Sequence, residues 1–505
     1  MKEVISAKVM RQSDAALISS GTGAKELVSR AAKSVFDAFD FSSYRMIAVI
    51  CGKGNNGADG LALALLLKSA GSVCTVITSN SFVTGENSFY LEKCRKAGIV
   101  CTDFDDAVSL DGYNLIVDCL FGTGFHGEAS GVGLDIIRAV NRAKKSGAKV
   151  LSIDIPSGIS GDNGLGGEHI VSDFTFSIGT LKSGLFLGCG KDAVGKIKNL
   201  DIGIPIIGKP SYLCGSEDFT DVIFERKNLC NKGDFGYITL LGGSTDYTGA
   251  VKLAENAAAA MRSGCGVCRA AIPRSAVSLI APCLLEATIT TIDDVGGSML
   301  FDRDGTDRAL TRTAAVGIGM GWGRGEHNGE LLGYILENYK MPILIDADGL
   351  NTLCSVGTDI LKKRAGNTVL TPHLKEFERL SGIPVNETLT DPIGYAKKFA
   401  GEYNVTLLLK GPTTVITDGE AVYLVDRGCA GMATAGSGDV LSGIITSLLG
   451  YSRASLPLTA ACGAWIAGRA GEIAESRKNP VSMIASDTVS AISDAVGEIY
   501  RHHFN

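Results

Sequence analysis

Between residues 46 and 178, short apolar runs alternate with amphipathic ones. MIAVIC (46–51), VCTVI (73–77), LIVD (115–118), KVLSIDI (149–155) and FTFSI (174–178) are near-continuous apolar stretches, the pattern of strands buried on both faces of a parallel sheet. LALALLLKSAG (61–71) is long enough for a buried helix. GLDIIRAVNRAKK (133–145) has its apolar residues at helical spacing and is closed by Gly147. This alternation predicts a Rossmann-like, doubly wound α/β domain.

The regularity breaks between about Pro205 and Lys227, which places a junction near 208–225 and predicts domains over 1–212 and 222–505. A second alternating series follows. GYITLLGG (236–243), TAAVGIGMG (313–321), PILIDADG (342–349), NTVLTPH (367–373) and VTLLLKG (405–411) each read as a strand ending in a polar or glycine-rich tip. GAVKLAENAAAAMRSG (249–264) reads as one helix, and two helices starting at Gly438 and Ser455 close the series. The two series share a design without a sequence repeat.

Composition narrows the class. The chain of 505 residues is 45% hydrophobic and 20% charged, ordinary for a globular protein with sizeable cores. A net charge of −6 leaves no basic field for nucleic acid. The N-terminal MKEVISAKVMRQSDAA lacks the apolar core of a signal peptide, and the 61–67 run is too short to span a bilayer. Fourteen scattered cysteines suit reduced thiols and a cytoplasmic location, with no membrane partner. The Cys265–Cys268 pair precedes a strand instead of opening a helix and has no second pair, so it reads as structural. Glycine, at 64 residues, is in excess and falls in clusters beside apolar runs, as strand-to-helix turns near a ligand require.

Three of these clusters sit at successive strand ends of the first series. GKGNNGADG (52–60) combines turn glycines, a following helix N-terminus for an anion, and two asparagine carbonyls able to ligate a hard cation. DCLFGTGFHGE (118–128) follows with Asp118 at its strand end, and DIPSG (154–158) with Asp154 and Ser157 at its tip. In open α/β sheets such ends line the ligand crevice, although a single aspartate there can equally be a helix cap. In the second series TAGSGDVLSGII (434–445) sets glycines before a helix with Asp439 in its first turn. That is an anion hole beside a carboxylate placed to take a proton from a hydroxyl.

The first set resembles the NAD(P)H-hydrate epimerase, or YjeF N-terminal, domain over roughly residues 1–210, through the asparagine–glycine loop, VDCLFGTG (117–124) and IDIPSG (153–158). The resemblance implies that Asn55, Asn56, Gly57, Ala58, Asp59, Gly122, Thr123, Gly124, Phe125, His126, Gly127, Glu128 and Asp154 hold the hydrated nucleotide. It further implies that Asn56, Asp118 and Ser157 bind potassium, and that Asp154 is the acid/base of C6 epimerisation, with Lys182 in a nearby polar role. The family has a second glycine where this chain has Ala58, which puts a methyl group at the phosphate turn.

The second set resembles the ribokinase-like superfamily. LKGPTTVI (409–416), LIDADGLNTL (344–353), LTPHLKEFERL (370–380), VGIGMG (316–321) and TGAVKLA (248–254) narrow it to the ADP-dependent NAD(P)H-hydrate dehydratase branch over about 225–500. By that resemblance Lys410, Gly411, Pro412, Thr413, Thr414 and Gly438 contact ADP or AMP, and Ala250, Gly319, Gly321, His373 and Asp439 contact the hydrated dinucleotide. Asp346 and Asp348 position water, magnesium or nucleotide, or stand as turn residues; His373 alone also fits a hydrogen-bonded loop histidine. The implied enzyme is bifunctional. It interconverts R- and S-NAD(P)HX and dehydrates the S form to NAD(P)H at the expense of ADP, with potassium and Mg2+ as cofactors, in a homo-oligomer. Two other readings share these motifs: a small-molecule kinase of the hydroxyethylthiazole type, and an N-terminal half that binds without catalysing.

Overall fold

The computed structural model describes residues 1–79, 85–105, 107–256, 262–364 and 366–504. It divides into two compact units, Lys2–Pro210 and Ser211–Asn505.

In the first unit seven parallel strands lie in the order Val100–Asp103, Cys74–Thr78, Ile47–Cys51, Leu115–Cys119, Lys149–Ile153, Phe174–Ile178, Lys196–Leu200. Alternate residues of Ile47–Cys51 feed two different cores. Ile47, Val49 and Cys51 pack with Leu61, Leu63 and Val28 from helices Asn55–Ser69 and Ala24–Ala38. Ala48 and Ile50 pack with Ile136, Ile137 and Val140 of helix Gly131–Lys145. Both faces are therefore covered, which is why the central strands carry apolar residues at every position. The outer strands Val100–Asp103 and Lys196–Leu200 are largely exposed and polar, so no apolar run announced them. A short parallel pair joins Lys2–Ile5 to Leu181–Lys182, with Ile5 opposite Lys182.

Helix Asn55–Ser69 begins six residues before the apolar run at 61. The turn is confined to Gly52–Gly54, and Asn55 to Gly60 already form the first helical turns, because Gly57 lets the helix settle against the Gly52 backbone and Gly60 against the side chains of Cys119 and Cys51. A Cβ on Gly57 would stand 1.8 Å from the Gly52 carbonyl oxygen.

In the second unit seven parallel strands run in the order Thr288–Ile292, Val267–Pro273, Tyr237–Leu241, Ala315–Ile318, Ile343–Ile345, Thr368–Leu370, Thr406–Leu409. Thr414–Thr417 and Val422–Val425 extend this sheet antiparallel, and Ser211–Leu213 pairs with Val422–Val425. The core lies beneath helices Ser437–Leu449, Leu456–Arg477 and Ala485–Phe504. The last of these was not among the two expected closing helices. Its buried positions Val489, Ile492, Ala495 and Ile499 follow a helical period that its small and polar residues dilute. Of the expected helix over 249–264, the structure gives Thr248–Glu255, and residues 257–261 lie outside the described residues. Cys265 and Cys268 are buried free thiols. No described helix is long and apolar enough to cross a membrane.

Candidate functional site

Parallel pairing brings the three predicted strand ends of the first unit side by side, Ile50 opposite Asp118 and Asp118 opposite Ser152. A cleft of about 740 Å³ opens above them. Asn55, Asn56, Asp59, Gly122, Thr123, Gly124, Phe125, His126 and Asp154 line it. Gly57 and Ala58 do not: both are buried in the helix below, and the Ala58 methyl joins the apolar core. The methyl group expected at the phosphate turn thus lies in the core instead. Gly127 and Glu128 are exposed outside the cleft.

Beneath the cleft floor, Asp118 is fully buried. Its carboxylate accepts from the Ser157 amide (2.9 Å) and hydroxyl (2.6 Å), the Ser152 hydroxyl (2.7 Å) and the Leu120 amide (3.1 Å). Ser157 Oγ in turn accepts from the Phe121 amide at 2.8 Å. Burial pushes the Asp118 pKa up, against the pull of these hydrogen bonds. Asn56 Nδ2 donates to the carbonyls of Phe121 (2.7 Å) and Ile153 (3.0 Å), while its Oδ1 is buried without a partner.

Asp154 has φ 72°, in the left-handed region. Lys182, fully buried, donates to Asp154 Oδ1 at 2.5 Å, to Ser177 Oγ at 3.3 Å and to the Ile178 carbonyl. The polar role expected of Lys182 is thus a direct ion pair with Asp154. Two further carboxyls face this pair. Burial first, then the negative charges of Asp154 and Asp14, push Asp59 well above the usual carboxylate range. Asp14, which sequence reading passed over, is pushed up to about 6, chiefly by burial and then by Asp154, against the pull of Lys182. No local pattern marks Asp14; only its distant partners do.

In the second unit the strand ends of Ala315–Ile318, Ile343–Ile345, Thr368–Leu370 and Thr406–Leu409 deliver Gly319, Asp346, His373 and Lys410 to one edge. Lys410 bonds Asp346 Oδ1 at 3.0 Å and stands 3.8 Å from Glu376. Burial opposes its charge, but Asp346, Glu376 and Asp439 outweigh that and raise its pKa. Ser442 donates to Asp346 Oδ2 at 2.7 Å, bracing the strand tip against helix Ser437–Leu449. Asp348 accepts from the Gly323 amide at 2.9 Å. Ala347 between the two aspartates has φ 49°. Gly319 stands where a Cβ would reach 2.0 Å from the Asp346 carbonyl oxygen, and Gly321 abuts Ala250.

The turn before helix Ser437–Leu449 supplies the anion hole. Gly436 has φ 94°, the first-turn amides of Gly438 and Asp439 have no acceptor among the described residues, and Ser437 Oγ is buried without a partner. Gly438 faces Asp346 and Lys410, each 3.7 Å from where its Cβ would stand. Asp439 is pushed up to about 7, chiefly by burial and then by Asp346, against Lys410. Among the described residues no donor reaches its carboxylate. His373 caps helix Leu374–Ser381, its Nδ1 accepting from the amides of Lys375 (3.1 Å) and Glu376 (3.3 Å). Its ring is half-exposed, with Nε2 3.5 Å from Glu376 Oε1, and its backbone bridges to that of Lys410 on the adjacent strand end. Gly411 and Pro412 are exposed, Thr413 is buried and Thr414 opens the hairpin strand.

Comparison with known proteins agrees in both units. Residues 24–184 match the family model of the YjeF-related protein N-terminus, and residues 238–494 match that of NAD(P)H-hydrate dehydratase. The bifunctional NAD(P)H-hydrate repair enzyme Nnr of Moorella thermoacetica is 34% identical over 468 residues, covering 88% of this chain and 86% of its own. The Escherichia coli enzyme of the same name is 31% identical, covering 93% and 89%. Among solved structures, the ADP/ATP-dependent NAD(P)H-hydrate dehydratase of Bacillus subtilis, co-crystallised with ATP/Mg2+, is 27% identical, covers 57% of this chain and 96% of its own, and superposes with a TM-score of 0.46. With a matching model at each end and relatives spanning nearly its whole length, the chain belongs to the family of bifunctional NAD(P)H-hydrate repair enzymes.

Proposed function

We propose that the two activities divide between the halves, epimerisation of NAD(P)HX within 1–212 and ADP-dependent dehydration of the S form within 222–505. The observation that carries the dehydratase assignment is Asp439. Its pKa is pushed up to about 7, no donor reaches it among the described residues, and it stands with the first-turn amides of Gly438 and Asp439 beside the Lys410–Asp346 pair. Hydroxide leaves poorly from C6 of the hydrated ring. Asp439 takes the proton of the C6 hydroxyl as its oxygen attacks the β-phosphorus of ADP, and AMP leaves. The Gly438 and Asp439 amides and Lys410 receive the charge that develops on the transferring phosphoryl group. Loss of phosphate from C6 and a proton from C5 then restores the double bond of NAD(P)H. Lys410, Gly411, Pro412, Thr413, Thr414 and Gly438 form the nucleotide side of this site, and Ala250, Gly319, Gly321 and His373 the dinucleotide side.

Asp346 and Asp348 already receive Lys410, Ser442 and the Gly323 amide, so they offer no dedicated cage for Mg2+. Mg2+ would arrive with the nucleotide and offset the charge of its phosphates. Potassium suits the epimerase floor better. The observation that favours it is Asn56 Oδ1, a buried oxygen without a hydrogen-bond partner, set close to the fully buried and hydrogen-bonded Asp118. A monovalent cation there would be held by Asn56, Asp118 and Ser157 and would supply positive charge beside the buried carboxylate. In the cleft, Asp154 acts as acid/base, with Lys182 holding its carboxylate.

The fourteen free thiols suit the reducing cytoplasm, and the multimeric habit of the family extends to this chain as a homo-oligomer, which light scattering tests. The decisive experiment supplies S- and R-NADHX separately, with ADP, and follows the reduced-nicotinamide absorbance. D154N slows processing of the R form alone. Equal rates for D154N and wild type on the R form would make the first half a binding module. An accumulating phosphorylated product without recovered NADH would instead favour a kinase.

A further inference from the structure

Asp14 is not explained by any role assigned above. It lies on helix Ala7–Ser19, outside the 24–184 match of the family model. The helix is fixed at several points. Ile5, just before it, pairs with Lys182, the Lys8 amide bonds Asp162 at 3.1 Å, Ser13 Oγ receives the Ile207 amide at 3.1 Å, and Arg11 bonds the Thr123 carbonyl. Arg11 and Asp14 are thereby held into the cleft that Asp59, Asp154 and Lys182 also line. Asp14 is half-buried, and no donor reaches its carboxylate among the described residues. A carboxyl held at a cleft wall by so many anchors, yet bonded to nothing itself, is free to meet a ligand.

We propose that Asp14 is a second catalytic residue of C6 epimerisation, working with Asp154 as a two-carboxyl proton-transfer site. The proposal rests on the reading of Asp154 as acid/base. Epimerisation needs one bond at C6 broken and remade on the other face. One carboxyl, protonated, gives its proton to the C6 hydroxyl, which leaves as water while the N1 lone pair forms a planar cationic C6=N1. Water then adds to the opposite face and gives its proton to the other carboxylate. One proton is delivered and one recovered, and nothing is oxidised or reduced. Asp154 is ion-paired with Lys182, whereas Asp14 has no such partner among the described residues and burial pushes it up to about 6, within reach of proton exchange at physiological pH. The charged groups facing Asp14 are Asp59, Asp154 and Lys182 across the cleft and Arg11 on its own helix.

The test compares D14N, D14E and D154N in the full chain, measuring kcat and KM for the R epimer across pH, with the S epimer as a control for the dehydratase. D14N is expected to lower kcat on the R form by about 10²–10⁴-fold, with KM within about threefold and S-form processing unchanged. D14E is expected to restore part of that rate and to retain the inflection near pH 6 that D14N loses. If D14N keeps the wild-type kcat on the R form while D154N loses it, the role of Asp14 is overturned and that of Asp154 stands. A rise in KM alone would overturn proton transfer in favour of binding. Wild-type rates in both variants would overturn both.

Discussion

The Asp439 carboxyl offers the sharpest quantitative test. Its pKa of about 7 comes from burial and from Asp346, with Lys410 opposing. As the base it works only when deprotonated. With that pKa, about half of it is active at pH 7, about one part in eleven at pH 6 and about ten in eleven at pH 8. ADP-dependent dehydration of S-NADHX, at saturating ADP, should therefore rise about fivefold from pH 6 to pH 7 and less than about twofold from pH 7 to pH 8. D439N removes the base and should lower kcat by about 10²–10⁴-fold, or about 3–5 kcal/mol in the barrier. D346N removes the nearest negative charge, so Asp439 should lose its proton more readily and the acid limb should move to lower pH. The assay is the initial rate of absorbance recovery against pH for the three proteins. A D439N rate within threefold of wild type, or a flat wild-type profile from pH 6 to pH 8, would refute the reasoning.

Other expectations follow from the same geometry. A58G should not improve epimerisation, and should lower the thermal stability of the first unit by about 1 kcal/mol or more through lost helix propensity and core contacts. G57A should be far worse, since its methyl meets the Gly52 carbonyl oxygen at 1.8 Å; loss of R-form processing together with a lowered melting temperature is the expected result. Exchanging potassium for lithium should slow the R epimer and spare the S epimer, and equal sensitivity of both would remove the assigned cation from the epimerase floor. A brief treatment with an alkylating agent should modify the exposed Cys230 and Cys283 and leave Cys265 and Cys268 intact in peptide mass spectra, because the latter pair is buried and Cys268 is bonded to Glu255.

The α/β architecture was legible because strands buried on both faces must be continuously apolar, and because ligand loops at their ends need glycine. The strand ends carrying Asp118, Asp154, Asp346 and Lys410 could be placed on that basis. What escaped was of two kinds. Edge strands such as Val100–Asp103 face solvent and carry no apolar signal. Partnerships across long separations have no local trace: Lys182 with Asp154, Ser442 with Asp346, Asp14 with the cleft. His373 shows a third limit. Its place between strand and helix fits both a ligand contact and a cap, and the structure adds the capping bonds of Nδ1 to its position beside Lys410.

The contacts around the Asn–Gly loop bear on how this sequence can drift over evolutionary time. A Cβ at Gly52 would stand 1.8 Å from the Leu120 carbonyl oxygen, one at Gly57 1.8 Å from that of Gly52, and one at Gly60 2.8 Å from Cys119 Sγ. Ala58 points instead into a core that accommodates its methyl group. Among homologues, positions 52, 57 and 60 should thus be held as glycine by neighbouring chain atoms whatever the substrate, while position 58 admits alanine. An alanine there supports the core beneath the cleft, and its presence gives no ground for reading an epimerase in decay.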